Sequence, residues 1–171
     1  MKKLIVLLLF CSAAMLGQRT HTDKKAGFEI KIPRDWKKER MKDWQVVALK
    51  YDIENKSLES RMFVTVKEHR TVSPDSIVDN FVRNQQYHYP TFTVIENDKT
   101  QVNGLEFHRI VGSHNVPEGT FTTISYVYSG DGKWIILDFG AANEKFIMNQ
   151  QTYAQIAQSF LLKTPGNEKS K

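Results

Sequence analysis

Few residues in this chain of 171 have a type and spacing suited to chemistry. Ser113 and His114 are adjacent, but a nucleophile and its base must meet in space and need a third group to orient them. Adjacency supplies neither, so the pair reads as part of a polar loop. His69, His88, His108 and His114 fall at no metal-ligand spacing. Only a site that the fold itself assembles from His108 and His114 remains open to them. Asp131 has the residue type of a calcium ligand but no carboxylates beside it at ligand spacing, so it reads as turn chemistry. There is no Gly-x-Ser-x-Gly elbow, phosphate-binding loop, His-Glu-x-x-His helix or Cys-x-x-Cys pair. No catalytic residue, metal or cofactor is expected.

Recognition is better represented. Gln85-Gln-Tyr-His-Tyr-Pro90 places Tyr87, His88 and Tyr89 at the end of a helical pattern, and amphipathic rings near solvent are the composition of a contact patch. A protonated His88 there would also interact favourably with the helix dipole. Trp36 and Trp44 bracket the charged stretch Lys37 to Asp43. They can line a cleft edge or anchor that stretch to the core. Tyr87, His88, Tyr89, Trp36 and Trp44 are the candidate binding residues.

The elements that must position them are legible from periodicity. Phe28-Glu-Ile-Lys-Ile32 alternates as a strand with one wet face does, and Pro33 ends it. Strands are expected over Trp44 to Tyr51 and Arg61 to Lys67, the latter with Met62, Val64 and Val66 on one face. Ser73-Pro74-Asp75 is a helix start: a capping serine, a proline at the first position and an acid at the positive end of the dipole. Ile77, Val78, Phe81 and Val82 form its apolar stripe, and it should stop before Pro90. Phe92 to Glu96 reads as a strand, and Asn103-Gly104 as a type I′ turn leading into a returning strand, Leu105 to Val111. Gly112 to Gly119 reads as a polar connection. The run Thr120 to Tyr128, a turn at Ser129 to Gly132, and Lys133 to Phe139 form a hairpin. Trp134-Ile-Ile-Leu137 has no polar face, so this strand is covered on both sides. A last helix, capped by Asn143, carries Phe146, Tyr153, Ile156, Ala157 and Phe160 on one face.

At the N-terminus, Lys2-Lys3, the apolar run Leu4 to Phe10 and the small residues beyond form a secretory signal peptide over residues 1–17. The run is shorter than the ~20 apolar residues of a membrane span. Cleavage is placed after Gly17, with Ala14 as second choice. Cys11 raises an alternative, lipid anchoring, although Phe10 stands where lipoprotein signals carry a small residue. Residues 18–26 read as a flexible polar leader and 164–171 as a disordered tail without apolar residues. The formal charge of +5 is concentrated at these ends, leaving a nearly neutral body without the basic stripe that nucleic acid needs.

Strands, helix, strands, helix in that order predict an α+β fold: a helix/sheet/helix sandwich with a largely antiparallel sheet of about six or seven strands and two main helices, in one domain over 27–163. Gly27-Phe28 opening a strand that ends in Ile32-Pro33 with Trp36 beyond, the Ser73-Pro74 helix start, Val102-Asn103-Gly104, and the closing hairpin and helix ending in Ser159-Phe160 together resemble the PsbP-like superfamily. The group includes the photosystem II protein PsbP, the Ran-binding Mog protein and many exported bacterial proteins. The resemblance spans about Gly27 to Lys163. It implies the fold and a binding or accessory role, with no shared active site. It carries over neither photosystem nor Ran binding, since an exported chain does not meet a cytosolic GTPase. The expected protein is exported, periplasmic or secreted, non-enzymatic, without a membrane span after signal removal, and binds a protein or envelope component. The alternatives are a small-molecule or lipid carrier with a cavity between helix and sheet, on a nuclear-transport-factor-like cone, and an enzyme using His108 or His114.

Overall fold

β-Branched and aromatic residues dominate the second half of the chain, and the computed structural model pairs them into long strands. It describes residues 17–163 other than 55, 69–72 and 131. The signal segment, Cys11, His69, Asp131 and the tail therefore lie outside the described residues, except for Gly17. Among the described residues, ten strands and two helices follow in order: β1 (Gln18–Asp23), β2 (Phe28–Pro33), β3 (Lys37–Glu39), β4 (Val46–Tyr51), β5 (Leu58–Glu68), α1 (Pro74–His88), β6 (Thr93–Val102), β7 (Leu105–Val116), β8 (Gly119–Gly130), β9 (Lys133–Ala142), α2 (Asn143–Gln158) and β10 (Leu161–Leu162).

Seven strands make one sheet in the order β3-β4-β5-β9-β8-β7-β6, and β1-β2-β10 make a second, smaller one. Every pairing is antiparallel. The central strand is β9, whose residues Ile135 to Ala141 are buried without interruption. Alternate side chains leave a strand on opposite faces. Ile135, Leu137, Phe139 and Ala141 accordingly join one core, and Ile136 joins another.

The larger core lies between the seven-stranded sheet, α2 and the small sheet, which contributes Phe28, Ile30 and Ile32. Tyr153 of α2 sits in it, stacked on Phe139 at 5.3 Å, with its hydroxyl 2.5 Å from Ser60 Oγ. Burial pushes that phenol up to about 12, so it stays protonated. On the opposite face α1 packs Ile77, Val78 and Phe81 against Ile110, Val127 and Ile136. The two helices cover opposite faces of one sheet, as an α/β/α sandwich requires.

Several local expectations give way to tertiary pairing. Residues 18–23 are not a loose leader but strand β1, in register with β2 from Gln18↔Pro33 to Asp23↔Phe28. The stretch after Gly112 continues as strand to Val116. Asn143 is the first residue of α2 and not its cap. That position is Ala142, which offers no side-chain cap, and the Asn143 amide oxygen instead accepts from Thr122 Oγ1 at 3.1 Å. The Asn103-Gly104 turn forms as expected, with φ of 47° and 82°. Asn103 has a second role: its Nδ2 donates to the carbonyls of Gln158 and Phe160 at 2.9 and 2.6 Å, satisfying acceptors that the end of α2 leaves open.

Candidate functional site

α1 lies along β7. His108 Nε2 is 3.9 Å from Asp75 Oδ1 at the start of the helix, and the His114 ring stacks at 4.0 Å on Tyr89, just past its end. Six residues of strand span about 20 Å and fifteen of helix about 22 Å, so the two histidines sit under opposite ends of one helix. They do not form a shared site.

Beyond the C-terminal end of α1, the same sheet face carries rings and a guanidinium in unbroken contact. Trp44 and Phe63 have ring centroids 4.7 Å apart. The Arg61 guanidinium lies over Phe63 at 5.2 Å and over Phe121 at 4.6 Å. Phe121 is 5.4 Å from His114, which stacks on Tyr89. The belt thus runs Trp44, Phe63, Arg61, Phe121, His114, Tyr89 across strands β5, β8 and β7 and the loops that flank them. All its members except the buried His114 are partly exposed.

The sheet is built to seat these groups. Phe121 lies over Gly140, where an added Cβ would come within 2.6 Å of the Phe121 ring. Phe92 lies over Gly112, where a Cβ would come within 2.3 Å of its ring. These two glycines are the space the aromatics occupy. The polar residues beneath are held by one another: Ser125 Oγ donates to Asp138 Oδ1 at 2.5 Å, and Arg61 Nη2 is 4.0 Å from Asp138 Oδ2. Burial raises the Asp138 carboxyl, and Arg61 and Ser125 oppose that rise. Burial, and then the Arg61 charge, lower the His114 imidazole, so it is neutral at physiological pH. Arg61 Nε and His114 Nδ1 are buried without a hydrogen-bond partner.

The residues expected to bind are distributed unevenly. Trp44 and Tyr89 stand at the two ends of the belt. Tyr87, 82% exposed, and His88 are exposed beside it, their rings edge to face at 5.2 Å. Trp36 is not at a cleft edge: it is 1% exposed, edge-on to Tyr153 at 6.3 Å, and anchors its turn to the larger core. Arg61, Phe63 and Phe121 are not among the candidate binding residues that the sequence offers. Arg61 and Phe63 were visible only as the face of β5 opposite Met62, Val64 and Val66, and Phe121 only as the start of a strand.

A nucleophile and base are not brought together in this cluster, because Ser125 is turned to Asp138 and Ser113 lies on the strand face opposite His114. Among the described residues no group of three His, Cys, Asp or Glu side chains is placed to hold a metal ion. No described helix is long and apolar enough to cross a membrane.

Fold and surface together define an α+β sandwich that carries an aromatic and cationic belt beside one helix. The PsbP family model matches residues 17–162, and the chain belongs to that family. Among solved structures it is similar to cyanobacterial PsbP (CyanoP) from Synechocystis sp. PCC 6803, at 16% identity and a TM-score of 0.68, covering 85% of this chain and 92% of that one. LpqN, described as involved in cell envelope biogenesis of Mycobacterium tuberculosis, is similar at 12% identity and a TM-score of 0.63, covering 86% and 91%. The Saccharomyces cerevisiae Ran-binding protein Mog1p is similar at 8% identity and a TM-score of 0.57, covering 85% and 95%. At these identities the likeness is one of fold. No match is found among curated proteins.

Proposed function

We propose that the protein is an exported, non-catalytic binding or accessory domain, periplasmic or secreted, whose target is a protein or cell-envelope component. Its contact surface is the belt from Trp44 to Tyr89, with Tyr87 and His88 beside it. The observation that carries this reading is the continuous contact of five rings and one guanidinium on a partly exposed sheet face. Aromatics and arginine are the residue types enriched where proteins meet partners, and they dominate binding energy there. Family membership supports an accessory role, and the fold relatives include one described as Ran-binding and one as involved in envelope biogenesis. The signal segment supports export.

The test is affinity capture from envelope extract on the immobilised protein, with Trp44→Ala/Tyr87→Ala as the comparison. A partner held by the parent and lost by the variant, at unchanged melting temperature, is the expected result. Identical captured sets would remove the belt from the reading. A hydrolase-panel rate abolished by His108→Ala or His114→Ala would replace binding by catalysis. The intact mass of the exported protein separates cleavage after Gly17 from a lipid on Cys11.

A further inference from the structure

A second cluster lies away from the belt, where the edges of the two sheets meet. β1 is an edge of the small sheet and β3 an edge of the large one. Directly paired residues share a face, so Arg19 and His21, opposite the buried Ile32 and Ile30, are on the core-facing side of β1. Lys38, opposite the buried Ala48, is on the core-facing side of β3. Both edges thus turn basic groups toward one seam. Arg19 Nη2 donates to the carbonyl of Trp36 at 2.5 Å and ties the edges together. Lys38 Nζ is 2.7 Å from His21 Nδ1. The ammonium has only protons to offer, so Nδ1 accepts and the ring proton sits on Nε2, which is buried without a hydrogen-bond partner; the centroids of the His21 and Phe28 rings are 6.0 Å apart.

The carboxylates on these strands hydrogen-bond or pair with other groups, and only Asp23, on the same side of β1, acts on the His21 ring. Asp23 Oδ1 accepts from the backbone of Lys25 and Ala26, Glu39 pairs with Lys37 at 2.7 Å, and Glu29 pairs with Lys163 at 3.2 Å. Desolvation lowers Lys38, and the charges of Arg19 and Arg40 lower it further. Desolvation and then Lys38 lower His21, with Asp23 acting against them and Arg19 adding to them. Inward-turned charge alone would protect a sheet edge from pairing. That purpose is served by either sign and does not call for like charges held this close.

We propose that the seam formed by Arg19, His21 and Lys38 is an oxyanion-binding site, taking a sulfate- or phosphate-class group either free or on a lipid headgroup. Such an anion supplies countercharge to Arg19 and Lys38, to which no carboxylate of these strands is paired, and guanidinium and ammonium groups are the donors that recognise it. The first probe is sulfate, titrated calorimetrically into the purified protein at about 0.15 M salt, where diffuse attraction is screened. The second is sedimentation with phosphatidylglycerol vesicles against phosphatidylcholine vesicles.

Binding of at least one probe should weaken about tenfold or more in Lys38→Gln, the scale of one charge-assisted contact, and stay unchanged in Lys31→Gln on the other face of β2. Melting temperatures report whether each variant is folded. Loss of sulfate binding alone assigns a free oxyanion, and loss of vesicle binding assigns a headgroup. Binding that Lys38→Gln leaves intact, equal losses in both variants, or no binding of either probe overturns the site. Sulfate keeps one charge state between about pH 5.5 and 8. Its affinity should therefore rise at the acid end as His21 takes up a proton, and His21→Gln should flatten that rise.

Discussion

The two faces of the seven-stranded sheet are made of different material. Among the described residues, twenty-four buried side chains from both sheets, the helix and their connections form one cluster on the α2 side. On the α1 side the buried cluster has six members, and the neighbouring positions on that face carry Arg61, Asp138, Ser125 and His114. Burying an ionisable group costs stability unless it is paired, so polar positions are tolerated only where another face supplies the stability. The division places folding on one side and leaves the other free to present chemistry.

If that division holds, the largest losses come from the α2 side. Phe139, fully buried between Tyr153 and Tyr126, should cost about 4–5 kcal/mol as Phe139→Ala, whereas Phe81→Ala under α1 should cost about 3 kcal/mol. Urea unfolding of both variants measures the difference. Equal losses would mean that the faces share the load and would break the comparison.

The next effect belongs to the glycines under the belt. Gly140→Ala puts a Cβ 2.6 Å from the Phe121 ring and 3.1 Å from Thr123 Cγ2, and Gly112→Ala puts one 2.3 Å from Phe92. Forcing a ring out of its seat costs about 1–3 kcal/mol. Each variant should also reduce partner capture, because the displaced ring belongs to the belt or lies beside its His114. A stability loss with capture intact would show that the belt tolerates rearrangement.

How much of this was legible in the sequence depends on the range of the interactions. The run Trp134 to Leu137 announced a strand covered on both sides because apolar residues on both parities require it. Ser73-Pro74-Asp75 and Asn103-Gly104 announced a helix start and a turn because the geometry is local. β1 was missed because its core-facing positions are Arg19, His21 and Asp23, so the alternation that marks a half-buried strand is missing. Its order comes from pairing with β2. The belt was half visible: Trp44 and Tyr89 were named, but what joins them is contact among residues far apart in sequence, and spacing does not encode such contact. Trp36 could have gone either way, since a tryptophan beside a charged stretch looks the same whether it faces water or the core.

Charge on the α1 side gives two smaller, pH-dependent effects of opposite sign. Asp138 has its carboxyl raised in the fold. Above that raised value both folded and unfolded chains are ionised and the buried charge costs stability. Below the ordinary carboxylate value both are neutral and the cost is gone. Asp138→Asn keeps an acceptor for Ser125, so it should raise the melting temperature at pH 8 and lose that advantage as the medium is acidified. A variant that is less stable at every pH would show that the Arg61 pair outweighs burial. His114 is lowered in the fold, so the unfolded chain takes up its proton first and stability falls as pH drops below about 6.5. His114→Phe keeps rings on both sides of the position and should lessen that fall. An unchanged acid slope would assign it to His21, which is also lowered.

The smallest expected effect is the one that separates contact from packing most cleanly. Tyr87 and Phe81 lie on the same helix six residues apart, and one is 82% exposed while the other is 8% exposed. A ring in water contributes little to folding, so Tyr87→Ala should move the unfolding free energy by less than about 0.5 kcal/mol while weakening partner capture. Its ring meets His88 edge to face at 5.2 Å, and an exposed contact of that kind does not hold a helix end in place. A loss above about 1 kcal/mol would place Tyr87 among the supports of α1 and move the contact surface back toward Trp44 and Phe63. An unchanged melt with weakened capture would instead extend the surface from the sheet onto the helix that flanks it.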